Sequence, residues 1–119
     1  PYCLAMGATP SPGSLDVFWR GAENFQHSGW RGMTWAVSQA SPLRRVHVTG
    51  DLRLFDGGAW ASGGFMADMR VDGTTRMGDQ QQWLTRNAQL RTPERKVMGG
   101  AWNIVFVGSR GAPPSTFPS

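Results

Sequence analysis

The chain has 119 residues, of which 39% are hydrophobic and 17% are charged, and it carries a formal net charge of +4. This composition allows one globular domain at most and excludes a disordered chain, and no apolar run approaches the ~18 residues of a membrane-spanning helix. The basic residues are almost all arginines dispersed along the chain, so we interpret them as a solvated outer face and expect no nucleic-acid partner.

Short strand candidates, and no long helix, lie between two segments typical of loops. Residues 1–14 are rich in glycine, proline and serine and predict an irregular N-terminal segment, and residues 111–119 predict a linker. Sixteen glycines and eight prolines suit the turns of an all-β chain. The strand candidates in chain order are residues 15–19, 33–38, 43–48, 52–55, 64–71, 80–90 with a bend near Asn87, and 102–107.

Apolar residues recur at a regular interval along the chain. Phe25, Val48 and Val71 are equally spaced, and the two valines open the same V-x-G turn. Repeats of this length that contain short strands predict a solenoid, in which each coil buries its apolar face against the next. A second series, whose intervals are similar and shorten toward the C-terminus, comprises Trp35, Trp60, Trp83 and Trp102.

Two strand candidates also align with each other residue by residue. Superposing 65–71 on 84–90 brings like residues into register, for example Asp68 on Asn87. A parallel β-helix requires such stacking, because its coils lie only ~4.8 Å apart. The alternative, an antiparallel sandwich, would show two-residue hairpin turns such as Asn-Gly, which the sequence lacks. We therefore predict an all-β parallel β-helix, a partial solenoid of about four rungs over residues 15–110.

The glutamine triplet at residues 80–82 is the polar feature that folding explains least. On a strand, Gln80 and Gln82 face one side and Gln81 the other. An inward amide needs a hydrogen-bonding partner, such as an amide ladder with Asn87 or Gln39, whereas an outward pair would bind sugar hydroxyls or a water molecule. Both interpretations stay open at this point.

The tryptophans carry a similar pair of interpretations. Trp35, Trp60 and Trp102 are interpreted as packing residues, since a tryptophan at rung spacing usually buries its large apolar surface. Trp83 lies beside the glutamines and is the best candidate for a platform on which a sugar ring stacks.

The carboxylates and histidines do not form a complete catalytic or metal site. Glu23 and Asp68 occupy rung positions and are interpreted as structural, and no two acidic residues form an obvious hydrolytic pair at strand spacing. His27 and His47 lack a third ligand, and Cys3 is the single cysteine. We therefore expect no metal site and no cofactor.

The last observation is an ordered series of segments: FWRGAENF (18–25), WAVSQA (35–40) with LRRVHV (43–48), SGGFMAD (62–68), QQQWLTRN (80–87) and WNIVFVG (102–108). In that order they resemble the N-terminal β-helix of bacterial secreted proteins related to glycoside hydrolase family 55. The resemblance extends over about residues 18–118. It implies a right-handed, pectin-lyase-like β-helix, with residues 111–119 leading to a second β-helix domain of the same polypeptide.

The resemblance also implies a function. The chain would be part of a secreted, inverting, exo-β-1,3-glucanase-like enzyme acting on a polysaccharide, with the general acid, a glutamate, outside this chain. This part would position the attacking water and bind sugar, and a non-catalytic glycan-binding or structural β-helix is the alternative. The residues predicted to act in catalysis are Gln80, Gln82 and Ser38. Those predicted to bind substrate are Gln39, Trp83, Arg86 and Asn87.

Overall fold

The computed structural model describes residues 5–6, 20–37, 41–55, 61–91, 97–100 and 103–115. Within these ranges the chain forms strands and no helix, so no described helix is long and apolar enough to cross a membrane. The strands are β1 (Ala5–Met6), β2 (Ala22–His27), β3 (Met33–Trp35), β4 (Pro42–Val48), β5 (Leu52–Arg53), β6 (Gly64–Ala67), β7 (Arg70–Val71), β8 (Thr75–Gly78), β9 (Gln82–Arg86), β10 (Val97–Gly99) and β11 (Asn103–Val107).

The strands form two parallel sheets. Sheet A has the order β1-β3-β5-β8-β10, and sheet B has the order β11-β9-β6-β4-β2, with β7 also pairing with β4. The chain alternates between the two sheets, so each passage through both of them adds one coil beside the previous one. This arrangement confirms the predicted all-β, parallel β-helix.

The register of sheet B agrees with the predicted stacking. Phe65 pairs with Leu84, as the alignment of the two strand candidates requires. Val48 pairs with Val71, so the two V-x-G turns lie in neighbouring coils. The turns are also joined through their backbones, because the Gly73 N–H donates to the Gly50 carbonyl at 3.2 Å.

Two of the spacings read from the sequence do not mark stacked positions. Phe25 pairs with Val46 and not with Val48. The register offset between β2 and β4 is therefore shorter than the interval from Phe25 to Val48 on which the prediction relied. Trp35 lies in sheet A and Trp83 in sheet B, so the tryptophan series is wrong as a marker of equivalent positions. Its other two members, Trp60 and Trp102, lie outside the described residues.

The strand candidates omit β1, β2, β8 and β10, of which β1 lies in the segment predicted to be irregular. The sequence of β2, AENFQH, is mostly polar, and its alternation breaks at Asn24, whose φ is 62°. β8 is only four residues long and follows directly on a turn. Neither β2 nor β8 shows the run of alternating apolar residues from which strands are predicted. The first candidate, residues 15–19, lies outside the described residues.

The core lies between the two sheets. In β9, Trp83 and Thr85 point inward and are buried, whereas the residues between and beside them are exposed. The same two-residue alternation places an apolar side chain of every coil in one continuous core. Its largest fully buried hydrophobic members are Trp35, Trp83, Met33, Leu43, Leu52, Leu54, Met66 and Met77.

A bend recurs at an equivalent position within or directly after the strands β2, β4, β6, β9 and β11 of sheet B. Four residues other than glycine have positive φ there: Asn24 (62°), Arg45 (49°), Asp68 (54°) and Asn87 (49°). The register stacks them on one another and on Gly108, whose φ is 59°. We call this column the corner ladder. It confirms the bend predicted near Asn87, and it interrupts the alternation of side chains, so that two consecutive residues are exposed at 23–24, 44–45 and 86–87.

Candidate functional site

Gln80 lies in the turn before β9, and its side chain is completely buried. Its Nε2 donates to the carbonyls of Val37 at 3.0 Å and Leu54 at 2.7 Å, and its Oε1 accepts from the Gly63 N–H at 3.0 Å. These bonds use the whole amide to join three successive coils. The prediction that Gln80 and Gln82 face the same side is wrong, because β9 begins at Gln82 and its alternation does not extend back into the turn.

Trp83 is also buried, at 2% exposure. The indole fits because its neighbour in β6 is Gly64: a Cβ on that residue would lie 2.1 Å from Cζ3 of the ring. Among the described residues, no partner accepts a hydrogen bond from its Nε1. The interpretation of Trp83 as an exposed sugar platform is therefore corrected, and the indole is a packing residue over Gly64.

The outward side chains of β9 line an open groove of about 730 Å³ at the start of the strands of sheet B. Gln82 pairs with Asn103 of β11, so two amides lie next to each other on the outer face. One step along the strands, Leu84 pairs with Val105. We call this concavity the β9 groove. Its lining comprises Ser62, Gly63, Gly64, Gln82, Trp83, Leu84, Asn103 and Val105.

An apolar column crosses the strands beside the two amides. Phe65, Leu84 and Val105 follow one another from β6 to β11, and the last two are 37% and 48% exposed. Arginines flank the column on the other side: the Arg44 guanidinium lies 5.6 Å from the centre of the Phe65 ring, and Arg86 is exposed. The face therefore offers hydrogen-bonding amides, exposed apolar contact and positive charge within a few residues.

The remaining predicted residues are placed differently. Asn87 is exposed and belongs to the corner ladder, directly after Arg86. Ser38 and Gln39 lie outside the described residues. The structure thus brings together Gln82 and Arg86 on one outer face, with Asn87 at its edge.

Asn103, Phe65 and Val105 belong to this face, although they are not among the predicted site residues. The signal that would have identified Asn103 is its sequence separation from Gln82, which equals the register offset between β9 and β11. The shorter interval between Trp83 and Trp102 concealed this offset.

Titratable groups with shifted pKa values lie at the other end of the strands. A hydrogen bond from Arg70, and then one from His47, lower the pKa of Asp72 below its usual value. Burial lowers the pKa of His27, which ends β2. The lining of the β9 groove contains no carboxylate. Within the described ranges, no three histidine, cysteine or acidic side chains are grouped so that they could hold a metal ion.

Comparison with known proteins reveals one group of relatives. An exo-beta-1,3-glucanase from Streptomyces sp. SirexAA-E is 47% identical over 103 residues, which are 85% of this chain and 16% of the glucanase. The structure of sacteLam55A from the same organism superposes with a TM-score of 0.86 at 42% identity, covering 98% of this chain and 21% of that one. A variant of sacteLam55A refined in complex with glucose gives a TM-score of 0.83 at the same identity and coverage.

No family model matches the chain. The chain spans about a fifth or less of the length of these relatives. Nearly all of it nevertheless superposes on the structure of sacteLam55A at 42% identity. The resemblance indicated by the ordered segments of the sequence is thereby confirmed, and the chain is a relative of one β-helical portion of the proteins of glycoside hydrolase family 55.

Proposed function

We propose that this chain is part of a glycoside hydrolase that acts on β-1,3-glucan, and that the β9 groove binds sugar. The observation that carries the proposal is the adjacency of the Gln82 and Asn103 amides beside the column of Leu84 and Val105, in a chain 47% identical to an exo-beta-1,3-glucanase. An amide both donates to and accepts from hydroxyl groups. The apolar column would contact the C–H face of a sugar ring held by those bonds.

Within this proposal, Gln82 orients the attacking water or a sugar hydroxyl, and Arg86 and Asn87 bind further hydroxyls. Ser38 and Gln39 keep their predicted roles. They follow Val37, whose carbonyl is held by the buried Gln80 amide, so Gln80 supports the backbone beside them and does not itself contact the substrate.

The groove supplies no proton donor, because its lining contains no carboxylate. Inverting hydrolysis needs an acid and a water-activating group on opposite sides of the bond, about 6.5–9.5 Å apart. As the resemblance to glycoside hydrolase family 55 implies, the acid would be a glutamate in a second β-helix domain of the same polypeptide. A protein that degrades a polysaccharide outside the cell would be secreted, and its presence in the culture medium is the expected result of fractionating cells.

The test is Gln82→Ala in the intact protein that carries this chain. Loss of one well-placed hydrogen bond to a transition state reduces turnover by ~100- to 1,000-fold. We expect a loss of this size for hydrolysis of laminarin, a β-1,3-glucan, with an unchanged unfolding midpoint. The matched control is Gln89→Ala, which removes an exposed amide from the same sheet outside the groove.

Two outcomes contradict the proposal in different ways. Normal turnover by both Gln82→Ala and Asn103→Ala would remove the β9 groove from the reaction. An intact protein that binds laminarin and never hydrolyses it would instead identify the alternative, a non-catalytic glycan-binding β-helix.

A further inference from the structure

The outer face of sheet B carries a second concavity, of about 540 Å³, where the corner ladder bends the strands. It shares no lining residue with the β9 groove. We call it the corner hollow. Its polar side chains are Asn24, Gln26, Arg45, His47, Asp68 and Arg70.

The backbone beside the corner hollow has a strained conformation, and side-chain contacts hold it in place. Arg45 has a φ of 49°, a conformation that side chains other than glycine, asparagine and aspartate rarely adopt. Its Nε donates to Asn24 Oδ1 at 2.6 Å, and its guanidinium forms an ion pair with Glu23. Strained backbone persists where the surrounding structure holds it, and it is frequent at binding sites.

The charges of the hollow compensate one another. The Arg45 guanidinium is paired with Glu23, and Arg70 donates to Asp72 at 2.9 Å. His47 Nε2 lies 2.6 Å from the other oxygen of the same carboxylate. Recognition of a polyanion requires a field of uncompensated positive charge, which these pairs do not provide.

What the hollow does provide is donors and acceptors of hydrogen bonds. Among the described residues, no ion pair or hydrogen bond engages the Asp68 carboxylate, and it faces the hollow as a free acceptor. The guanidinium and amide groups around it are donors. The fitting ligand is a neutral compound rich in hydroxyl groups.

The polar groups of the corner hollow are arranged in one direction, across the strands. Its lining comes from β2, β4 and the segment around β7, which lie in three successive coils. Neighbouring coils lie ~4.8 Å apart, which is of the order of the size of one sugar ring. Polar groups therefore recur across the strands at a spacing that suits a polymer of sugars.

We propose that the corner hollow is a second binding site, for a neutral polysaccharide chain that runs across the strands of sheet B, separate from the β9 groove. The choice of β-1,3-glucan as its polysaccharide rests on the proposed function. The hollow itself, its lining and its charge balance are independent of that function.

The test compares laminarin affinity of the intact protein and of the double variant Asp68→Gly/Arg70→Gln, measured by affinity electrophoresis. Glycine accepts the positive φ of residue 68, so the coil can form without the carboxylate. We expect the dissociation constant for laminarin to rise about tenfold, as for loss of a hydrogen bond to a charged group. Turnover of a short β-1,3-linked oligosaccharide should not change.

Arg76→Gln is the matched control, because Arg76 is an exposed, weakly paired arginine on sheet A, 3.7 Å from Asp51. It should bind laminarin normally. His47→Gln is a second variant of the hollow and should also weaken binding. Equal melting temperatures of all variants would show that folding does not explain the difference.

Unchanged laminarin affinity of the double variant and of His47→Gln would overturn the second site, whatever Gln82→Ala does to hydrolysis. Tighter binding of a polyanion such as polygalacturonate than of laminarin would overturn the ligand class. If the corner variants weaken laminarin binding in a protein that hydrolyses no β-1,3-glucan, the second site stands and the proposed hydrolase function fails.

Discussion

The side-chain amide of Gln80 donates a hydrogen bond of 2.7 Å to the carbonyl of Leu54, which lies one coil away. Near the ends of the strands, backbone groups lose their partners in the sheet, and a buried carbonyl without a donor is costly. Gln80 supplies that donor from the interior. Gln80 is one of the residues predicted to act in catalysis, and in this structure it links neighbouring coils.

Replacing Gln80 with leucine should destabilise the protein. The variant leaves two buried carbonyls, of Val37 and Leu54, and the Gly63 N–H without this partner. Each unsatisfied buried group costs about 1–3 kcal/mol, so we expect the free energy of unfolding to fall by at least about 3 kcal/mol in denaturant titrations. The control Gln82→Leu alters an exposed side chain and should change it by less than ~0.5 kcal/mol. Equal stabilities of the two variants would refute the structural role.

Gly64→Ala should be destabilising because of Trp83. The new methyl group would lie 2.1 Å from the indole ring, which must move within a buried site. Overpacking of this kind typically costs about 1–3 kcal/mol. Trp83→Leu alone leaves a cavity. In the presence of Gly64→Ala the same substitution removes the clash, so the double variant should be more stable than the sum of the two single effects predicts. Strict additivity in a double-mutant cycle would contradict this contact.

The fold could be predicted from the sequence because successive coils of a β-helix repeat their pattern of side chains, on the inner and on the outer face. Phe65 over Leu84, Val48 over Val71 and the bend at Asn87 all follow from aligning strands by apolar residues. The site was less accessible. Whether a glutamine points inward depends on where the strand begins, and sequence patterns locate strand ends poorly.

Long-range packing sets the second limit on prediction. Trp83 is buried because Gly64, a residue of the preceding coil, leaves room for its ring. Neither residue alone indicates this, since a tryptophan beside glutamines is equally compatible with an exposed platform. Asn103 could be assigned to the outer face beside Gln82 only from the register between β9 and β11.

Asn87→Val should destabilise the corner ladder. The φ of Asn87 is 49°, which costs about 1–2 kcal/mol in most residues and is least compatible with a β-branched side chain. We expect a loss of free energy of unfolding of that size, measured by thermal or chemical denaturation. Asn87→Gly is the control, since glycine adopts this conformation without strain. If the valine variant is as stable as the glycine variant, the strain is absent.

Stability should depend on pH through His27. Burial lowers the pKa of this imidazole below its ordinary value of 6.5, and a hydrogen bond with its own backbone offsets part of the effect. Its Nδ1 accepts from the Gly29 N–H at 3.4 Å, which requires the unprotonated nitrogen. Since the unfolded chain binds the proton more readily, stability is present above pH 6.5 and is lost as pH falls from 6.5 through the folded pKa.

The measurement is the unfolding midpoint of the protein and of His27→Gln between neutral pH and pH 5. The unfolding midpoint of the His27→Gln variant should fall less as the pH is lowered, because glutamine does not titrate. His47→Gln leaves His27 in place and should retain that part of the decline. A pH dependence that is identical in the His27→Gln variant and the unmodified protein would exclude His27 as its source.

The isolated chain should self-associate through β11 when it is produced alone. In the described part of sheet B, β11 pairs with β9 on one side and is the last strand of the order. Ile104 and Phe106 are only partly buried, and Val107 is 51% exposed, so the edge combines free backbone groups with apolar surface. Such an edge is a template for pairing with a second chain, and a lysine on it opposes that pairing. Val107→Lys should therefore shift the chain toward the monomer in sedimentation velocity experiments.

The control for this edge is Leu84→Lys, which places the same charge on the outer face of the interior strand β9. It should leave association unchanged if backbone pairing drives it, because β9 already has a partner on each side. An equal effect of both lysines would attribute association to the apolar outer face instead of to the edge. A monodisperse monomer of the unmodified chain would contradict the prediction altogether.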